Sequence, residues 1–386
     1  MKKTLAAVAV LGAFAGSAMA ANVELYGSVS TGLVFSHTDS VGDESAQNSV
    51  TMESAWAGDS VFGLTGEEEL GNGWKVGFAL ENEFSSDTGA LASDGKLFDS
   101  MSYLWVGNDA IKLAAGNLGG ALSSAGGDFD LVGDFDPLEA AYGVGGMGLF
   151  ASRDLAFDNS LALELTPIDG LTVSLQASLE DEDQNSGWSQ RDHYYGVGAK
   201  YENGPLALSL VAERIKPANG KVFAIEDAGG NGVTANYKAT GIYTFGASWD
   251  FEVVKPTFMY QHTDNMRLSQ FAGDFMGLTE EDKVTIGDSE YAQDVMLDTN
   301  SFLLGATAPL GNGTLGVSAQ YAQVKFVNDA EFDKGNAYTF GVAYSYELSK
   351  RTNLYAAGVY THGTKDLKDC AELNGYQIGF GLNHTF

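Results

Sequence analysis

The sequence predicts an all-β protein, a transmembrane antiparallel β-barrel of about sixteen strands. Three observations lead to this fold. Apolar and polar residues alternate in segments of about ten residues, short and long connections alternate between these segments, and an export signal precedes them all. Together they favour a closed sheet that has one face in lipid and the other in water.

The first twenty residues resemble a secretory signal peptide. Two lysines follow Met1, residues 5–14 are apolar, and Ala18 and Ala20 form a small-residue cleavage site. At about ten residues, the apolar run is too short to cross a bilayer as a helix. We therefore expect the mature chain to begin at Ala21 and to leave the cytoplasm.

Composition narrows the class of protein. The formal net charge is −30, which excludes nucleic acid as a partner. Since 44% of the residues are hydrophobic, the chain is expected to fold and not to stay disordered. A single cysteine, Cys370, cannot form an intramolecular disulfide, so a large hydrogen-bonded sheet must supply the stability. No linker-like stretch divides residues 21–386, which predicts one domain.

The two-residue period is clearest at the end of the chain. One side of the last segment carries Tyr376, Ile378, Phe380, Leu382, His384 and Phe386, and the other carries Gln377, Gly379, Gly381, Asn383 and Thr385. Such alternation predicts a strand with an apolar face and a wet face. The pattern recurs in residues 74–81, 171–180 and 338–347. A soluble sandwich would also alternate, so the period alone does not decide the fold.

The order of the short and long connections distinguishes a membrane barrel from a soluble sandwich. Short turns are predicted at 70–73, 107–110, 167–170, 202–205, 250–253, 309–313 and 348–352. Longer polar segments are predicted at 37–59, 85–97, 117–157, 181–191, 216–238, 264–297, 327–334 and 363–372. Short and long connections in strict alternation are typical of outer-membrane barrels, whose turns are periplasmic and whose loops are external. Closure pairs every backbone group and leaves no sheet edge in lipid.

Aromatic residues lie near many predicted strand ends, where amphipathic rings suit the membrane interfaces. They are Tyr26, Trp74, Phe84, Trp105, Tyr201, Trp249, Tyr260, Tyr346, Tyr360 and Phe386. The alternative interpretation is cross-strand packing in a soluble barrel.

Four segments carry a resemblance to a known family. They are residues 23–27 (VELYG), 63–73 (GLTGEEELGNG), 158–171 (DNSLALELTPIDGL) and 379–386 (GFGLNHTF). In this order and spacing they resemble the general trimeric porins of Gram-negative outer membranes, and the similarity covers essentially the mature chain. The resemblance implies a sixteen-stranded homotrimer for passive diffusion of small hydrophilic solutes.

The family resemblance also implies a third external loop folded into the lumen as a constriction, here at about 117–157. The implied partners are outer-membrane lipid, lipopolysaccharide and the barrel assembly machinery, with Phe386 as the assembly signal. One departure stands out: Val61, Ser102 and Asn117 occupy positions where such porins commonly carry arginine.

Acidic residues dominate the expected pore. Strand parity places these charges on the lumen wall: Glu24, Glu67, Lys75, Glu81, Glu83, Glu164, Glu180, Lys200, Glu213, Lys255 and Glu347. The constriction loop adds Asp128, Asp130, Asp134, Asp136 and Glu139, with Arg153 as the nearest arginine. Because acidic rings attract cations, we expect cation selectivity, determined mainly by the loop acids. The alternative is that these acids only solvate an external loop.

Calcium is a further possibility, since Asp128, Asp130, Asp134 and Asp136 could supply oxygen ligands, although their spacing does not match an EF-hand. No other cofactor is expected.

The five histidines are widely separated, and nucleophile elbows and zinc-ligand spacings are absent, so no enzyme is predicted. Two alternatives to a general pore stay open: a channel with a saturable site for one nutrient, and a closed barrel serving adhesion or envelope architecture.

Overall fold

The computed structural model describes residues 22–40, 45–93, 95–179, 191–219, 222–226, 232–267, 283–286, 289–292, 296–327, 334–365, 367–368 and 373–386. The predicted signal peptide, Glu180 and Cys370 lie outside these residues. Among the described residues, no helix is long and apolar enough to cross a membrane.

The described segments form strands that we number in chain order. They are β1 (Asn22–Thr38), β2 (Gln47–Ser54), β3 (Val61–Gly71), β4 (Trp74–Glu83), β5 (Met101–Asn108), β6 (Ile111–Asn117), β7 (Ser160–Ile168), β8 (Leu171–Ser178), β9 (His193–Asn203), β10 (Leu206–Lys216), β11 (Val222–Glu226), β12 (Gly232–Asn236), β13 (Thr240–Trp249), β14 (Lys255–Arg267), β15 (Lys283–Ile286), β16 (Ser289–Ala292), β17 (Met296–Pro309), β18 (Gly313–Phe326), β19 (Gly335–Ser349), β20 (Thr352–Lys365) and β21 (Asn374–Thr385). Two short 3-10 helices, Gly133–Phe135 and Gly143–Gly145, lie between β6 and β7.

Seventeen of these strands form one antiparallel sheet that closes on itself. Closure comes from β1 and β21, which pair from Ser28 opposite Thr385 to Thr38 opposite Gly375. On its other edge β1 pairs first with β3 and then with β2, so these two strands share one position in the wall. The barrel therefore has sixteen strand positions, and the predicted all-β fold is confirmed.

Side chains alternate between an apolar outer face and a polar inner face. On the outside Leu210, Leu304 and Phe380 are 64%, 64% and 61% exposed. On the inside Ser209 and Ser301 are buried. A water-soluble surface rarely displays so much contiguous apolar area, whereas a bilayer solvates it. The parity predicted from the two-residue period thus matches the two faces of the wall.

Short turns gather at one end of the barrel and long connections at the other. Asn72 and Gly73 form a two-residue hairpin turn in which both residues have positive φ, +54° and +78°. This conformation fits the twist of the flanking strands and explains an Asn-Gly pair at that place. Strand β1 begins on this side of the barrel, and β21 ends on it.

Three predicted loops contain strands that the sequence analysis did not anticipate. The first, 37–59, includes β2. The loops at 216–238 and 264–297 include β11, β12, β15 and β16, which form a separate four-stranded sheet joined by the pairing of Ile225 with Tyr291. The sequence analysis missed these strands because short strands within polar connections leave no long alternating pattern in the sequence.

Two aromatic residues assigned to the membrane interfaces point into the lumen instead. The Tyr26 hydroxyl donates a hydrogen bond of 2.8 Å to the Glu81 carboxylate. The Trp105 ring covers Gly77, where an added Cβ would lie 2.6 Å from the indole. By contrast, Trp74 and Trp249 are exposed on the outer face, as expected.

Candidate functional site: the lumen and its inserted loop

The connection between β6 and β7, residues 118–159, lies inside the barrel. Its apolar side chains are buried against inner-face residues of the wall. Buried loop residues include Leu122, Phe135, Leu138, Leu149 and Phe157, and their wall partners include Ile215, Ile242, Met259, Leu303 and Val359. Burial of one such side chain stabilises by about 1.5–3 kcal/mol, so apolar packing is the main force holding the loop.

Glycines on the inner wall leave space for the inserted loop. An added Cβ at Gly246 on β13 would lie 2.6 Å from the Phe135 ring, and one at Gly305 on β17 would collide with the Pro137 ring. Real Cβ atoms do not tolerate contacts this close. The loop backbone therefore approaches the wall closely only because these positions have no side chain.

Three buried glutamines fasten the loop backbone. Gln176 on β8 donates to the carbonyl of Gly120 at 2.8 Å. Gln261 on β14 accepts from the Ala151 N–H at 2.9 Å and donates to the Ser152 hydroxyl. Gln320 on β18 accepts from the Leu149 N–H at 3.1 Å and donates to the Gly145 carbonyl at 2.7 Å. An amide both donates and accepts, so it suits a backbone that would otherwise be buried with unpaired groups.

Glu213 on β10 is a fourth attachment. Its carboxylate accepts hydrogen bonds from the Ser123 hydroxyl, from the Ser123 N–H at 3.2 Å and from the Tyr194 hydroxyl at 2.7 Å. The Tyr194 oxygen in turn accepts from the Leu122 N–H at 3.1 Å. Glu213 faces inward as strand parity predicted, but the loop covers it, so it does not line open space.

Unfilled space lies along the opposite side of the lumen. Two adjoining cavities of about 290 and 240 Å³ share Glu67 and Trp105 on the side of the short turns. Their charged lining residues are Glu24, Glu67, Lys75, Asp109, Lys112, Asp128 and Glu164. A third cavity of about 240 Å³ lies near the other end, between β1, β20, β21 and Arg153 of the loop. The two cavities near the short turns thus follow β1 and β3–β7, and the third follows β1, β20 and β21.

The five predicted loop acids fall into two groups. Asp128, Asp134 and Glu139 are exposed to the lumen. The Asp128 carboxylate accepts from the Tyr103 hydroxyl, and Asp134 forms an ion pair with Lys200. Of the three, Asp128 lines one of the cavities described above, whereas Asp134 is compensated by Lys200.

Asp130 and Asp136 are turned toward their own backbone. Asp130 accepts from the N–H groups of Val132 and Gly133, and Asp136, only 4% exposed, accepts from those of Leu138 and Ala140. Burial raises the pKa of Asp136 to about 6 and that of Asp130 to about 7. Their carboxylates hold the shape of the loop and do not project into open space.

The structure does not bring the four aspartates considered as calcium ligands together. Asp134 pairs with Lys200, while Asp130 and Asp136 face different backbone segments. Among the described residues, no group of three or more acidic, histidine or cysteine side chains is arranged to hold a metal ion.

A group of carboxylates near the loop was partly missed by the sequence analysis. Glu83, which parity assigned to the wall, interacts electrostatically with Asp59, Asp99, Glu81 and the loop residue Asp154. Asp99 also accepts from the Glu83 N–H at 3.0 Å. Asp59 and Asp99 each stand two residues before a strand, on the inward parity of β3 and β5. Both could have been found from the sequence by continuing the two-residue inward period of β3 and β5 to the residue two positions before each strand.

Arg153 is the basic residue of this region. One Nη donates to the Gly143 carbonyl at 2.7 Å, and its Nε lies 3.5 Å from the Asp154 carboxylate. The remaining wall lysines named from the sequence also face inward: Lys75 pairs with Glu67 and Glu69, and Lys255 donates to the Asp134 carbonyl.

Known proteins share this architecture. The model of the family described as Gram-negative porin matches residues 6–366. An outer membrane porin protein of Bordetella pertussis is 29% identical over 414 residues, covering 100% of both chains. The solved anion-selective porin from Comamonas acidovorans has a TM-score of 0.65 at 23% identity and covers 95% of this chain and 100% of its own.

A second solved structure, OmpT of Vibrio cholerae in its trimer form, has a TM-score of 0.62 at 13% identity and covers 95% of this chain and 100% of its own. At these identities the structural likeness shows the shared barrel fold. The family match, in contrast, extends over most of the sequence. The chain therefore belongs to the Gram-negative porin family, and it is a non-enzymatic β-barrel porin of the Gram-negative outer membrane.

Proposed function

We propose that the barrel is a passive diffusion channel for small hydrophilic solutes and that it prefers cations. The observation that carries the preference is the excess of carboxylates along the free side of the lumen. Glu24, Glu67, Asp128 and Glu164 line the two cavities near the short turns. The acids around Glu83 continue the path toward the loop. Acidic linings concentrate cations at short range.

The basic residues on this path do not reverse that excess. Lys75 lies 2.8 Å from Glu67 and 3.4 Å from Glu69, so two carboxylates compensate one ammonium. Arg153 is compensated by Asp154. Lys112 also lines this path, but the same two cavities are lined by Glu24, Glu67, Asp109, Asp128 and Glu164. On the other side of the loop, Asp134 is paired with Lys200. We therefore narrow the proposed selectivity residues from the five loop acids to Asp128, the loop acid that lines a cavity on the free side, together with the wall acids near Glu83.

Reversal potentials across planar bilayers under a KCl gradient test this proposal. The wild type should favour K⁺, and Asp128→Asn combined with Glu83→Gln should move the reversal potential toward that of Cl⁻. Glu68→Gln is the matched control, because Glu68 is exposed on the outer side of β3 and its loss changes net charge without changing the lumen. A wild-type preference for Cl⁻, like that of the anion-selective porin from Comamonas acidovorans, would contradict the proposal.

Passive diffusion has its own test. In liposome swelling with neutral solutes of increasing size, rates should fall with size alone and show no saturation. A solute that enters much faster than its size allows would favour a channel with a dedicated nutrient site.

We further propose a homotrimer embedded in outer-membrane lipid and lipopolysaccharide. The trimer form of Vibrio cholerae OmpT supports this, as does the wall at β2. Within the described residues β2 pairs only with β1, and Val50 and Met52 on it are 69% and 58% exposed. A neighbouring subunit would cover this edge. Light scattering in mild detergent should give three times the chain mass.

Phe386 is the proposed signal for the barrel assembly machinery. Its backbone N–H donates to the Gly27 carbonyl at 2.9 Å, and its ring lies over Gly27 at the end of the closing seam. Phe386→Ala should slow insertion in cells while leaving the detergent-refolded barrel intact. Normal insertion of this variant would argue against a signalling role.

A further inference from the structure

Lys112 on β6 lies between the wall and the edge of the inserted loop that borders the free space. Its ammonium Nζ is 4.7 Å from the centroid of the Phe129 ring, which belongs to the loop. The same atom is 5.6 Å from the Trp105 ring and 5.9 Å from the Tyr103 ring, both on the inner face of β5. All three distances fall within the range of cation–π attraction. We call these four residues the aromatic clamp.

The ammonium prefers the rings although carboxylates line the same cavity. Lys112 stands directly opposite Glu164 in the β6–β7 register, and Glu67 and Glu164 line the cavity that it borders. Yet in the part of the chain that the structure describes, Lys112 makes no ion pair, whereas Lys75 makes two. A lysine that only balanced wall charge would be expected to contact a carboxylate. The position of Lys112 therefore indicates a role in holding the loop.

The clamp fixes the loop next to its lumen-facing acid. Phe129 is buried, and its ring meets that of Tyr103 edge to face at 6.1 Å. The preceding residue, Asp128, accepts a hydrogen bond from the Tyr103 hydroxyl. One wall tyrosine thus contacts both loop residues, and Lys112 closes the arrangement from the side of the short turns. Movement of Phe129 away from the wall would move the Asp128 carboxylate with it.

We propose that Lys112 is a positioning residue for the constriction: its cation–π contacts keep the loop edge at residues 126–131 against the wall and thereby hold Asp128 at a fixed place in the pore. The importance of Asp128 for selectivity rests on the proposed function, but the attachment of the loop does not. Loss of the Lys112 charge should release this edge, and arginine should replace lysine because a guanidinium also binds ring faces.

Two readouts separate positioning from simple charge. The first is open-channel current noise in single-channel recordings of the refolded mature protein, which reports movement of the loop edge. The second is amide hydrogen exchange of residues 126–131, which reports local opening. Lys112→Met should increase the noise and accelerate exchange about tenfold, the change expected when one good cation–π contact is lost. Lys112→Arg should stay close to the wild type in both.

Lys75→Met is the matched control. It removes the same charge from the same wall, but Lys75 contacts carboxylates and no aromatic ring of the clamp. It should shift the reversal potential without changing noise or exchange. The proposal is overturned if Lys112→Met shifts the reversal potential in the same way while the noise and the exchange rates stay those of the wild type, because Lys112 would then act through charge alone.

A second variant keeps the proposal testable if Lys112→Met does not fold. Phe129→Leu retains an apolar side chain at the loop edge, leaves every wall charge in place and removes the ring nearest to the ammonium. It should reproduce the added noise and the faster exchange with no direct change in pore charge. Wild-type noise and exchange in Phe129→Leu would overturn the proposal. A wild-type reversal potential that favours Cl⁻ would contradict the proposed cation preference and leave the clamp unaffected.

Discussion

The Tyr194 hydroxyl on β9 donates a hydrogen bond of 2.7 Å to the Glu213 carboxylate on β10, and both side chains are buried beneath the inserted loop. The pair presents two acceptors to the loop. Glu213 receives the Ser123 hydroxyl and N–H, and the Tyr194 oxygen receives the Leu122 N–H. A carboxyl group so deep in the structure is tolerable only because three donors face it. The Tyr194–Glu213 pair thus attaches the start of the loop to the wall.

Glu213→Gln tests this attachment. The amide keeps the shape of the carboxylate but places an N–H₂ group against the donors of Ser123 or Tyr194, so one buried group loses its partner. We expect a loss of about 1–3 kcal/mol in the free energy of unfolding, with faster amide exchange at residues 121–124. Urea titration in detergent measures the former. Glu202→Gln, on an exposed position of β9, is the control: it loses only a surface ion pair with Lys200 and should cost less than about 1 kcal/mol. Unchanged exchange at Leu122 and Ser123 would contradict this role.

The loop acids Asp130 and Asp136 predict how stability depends on pH. Burial raises the pKa of Asp136 to about 6 and that of Asp130 to about 7, against about 3.9 for an aspartate in an unfolded chain. The folded state therefore binds protons more tightly than the unfolded state. Their contribution to stability is complete below about pH 4 and is lost as the pH rises through about 6 and 7.

Asp136→Asn isolates one of these two groups. Comparing urea midpoints at pH 4.5 and pH 8, the wild type should lose more stability on going to pH 8 than the variant does, by about 2 kcal/mol. The slope with pH is the readout, because the variant amide also disturbs the bond from the Ala140 N–H. Asp169→Asn, in an exposed turn, should keep the wild-type slope. Equal slopes for Asp136→Asn and the wild type would refute the assignment.

The inner and outer faces of the wall could be predicted from the sequence because lipid and water impose a strict two-residue period. Phe380 and Gly379 differ in polarity and size at adjacent positions, and the structure places them on opposite faces. That signal is local and repeats along every strand. The barrel itself therefore followed from short segments of sequence.

The roles of the loop acids could not be predicted in the same way. Asp134 and Asp136 have the same local pattern, yet one is exposed and paired with Lys200 while the other is buried on backbone amides. Which occurs depends on how Pro137 and Leu138 pack against distant strands. Likewise, a glutamine such as Gln261 on an inward position is typical of a wetted wall. Only the path of the loop reveals that it binds Ala151.

Gln261→Leu tests that contact. The substitution keeps most of the volume but leaves the buried Ala151 N–H without its acceptor and the Ser152 hydroxyl without the Gln261 donor. We expect a loss of about 1–3 kcal/mol in the free energy of unfolding. Gln47→Leu, at the exposed start of β2, is the matched control and should be close to neutral. If both variants unfold at the wild-type urea midpoint, the glutamine does not anchor the loop.

Gly246→Ala tests whether the position of the inserted loop requires wall residues that have no side chain. The new Cβ would lie 2.6 Å from the Phe135 ring, so Phe135 and the turn Gly133–Phe135 must move away from the wall and into the lumen. Overpacking of this kind costs about 1–3 kcal/mol, and the narrower lumen should lower single-channel conductance. Gly358→Ala makes the same change on β20, where the nearest atom is 4.0 Å away, and should leave conductance unchanged.

Removal of the Phe135 ring should restore the wild-type conductance in the Gly246→Ala background. Phe135→Ala removes the atoms that the new Cβ meets, so Gly246→Ala with Phe135→Ala should recover conductance that Gly246→Ala alone loses. Because the two residues are in direct contact, their effects should not add, and a double-mutant cycle measures the coupling. Additive effects on conductance and stability would mean that Gly246 and Phe135 do not constrain each other, and the loop would then have to be held against β13 by other contacts.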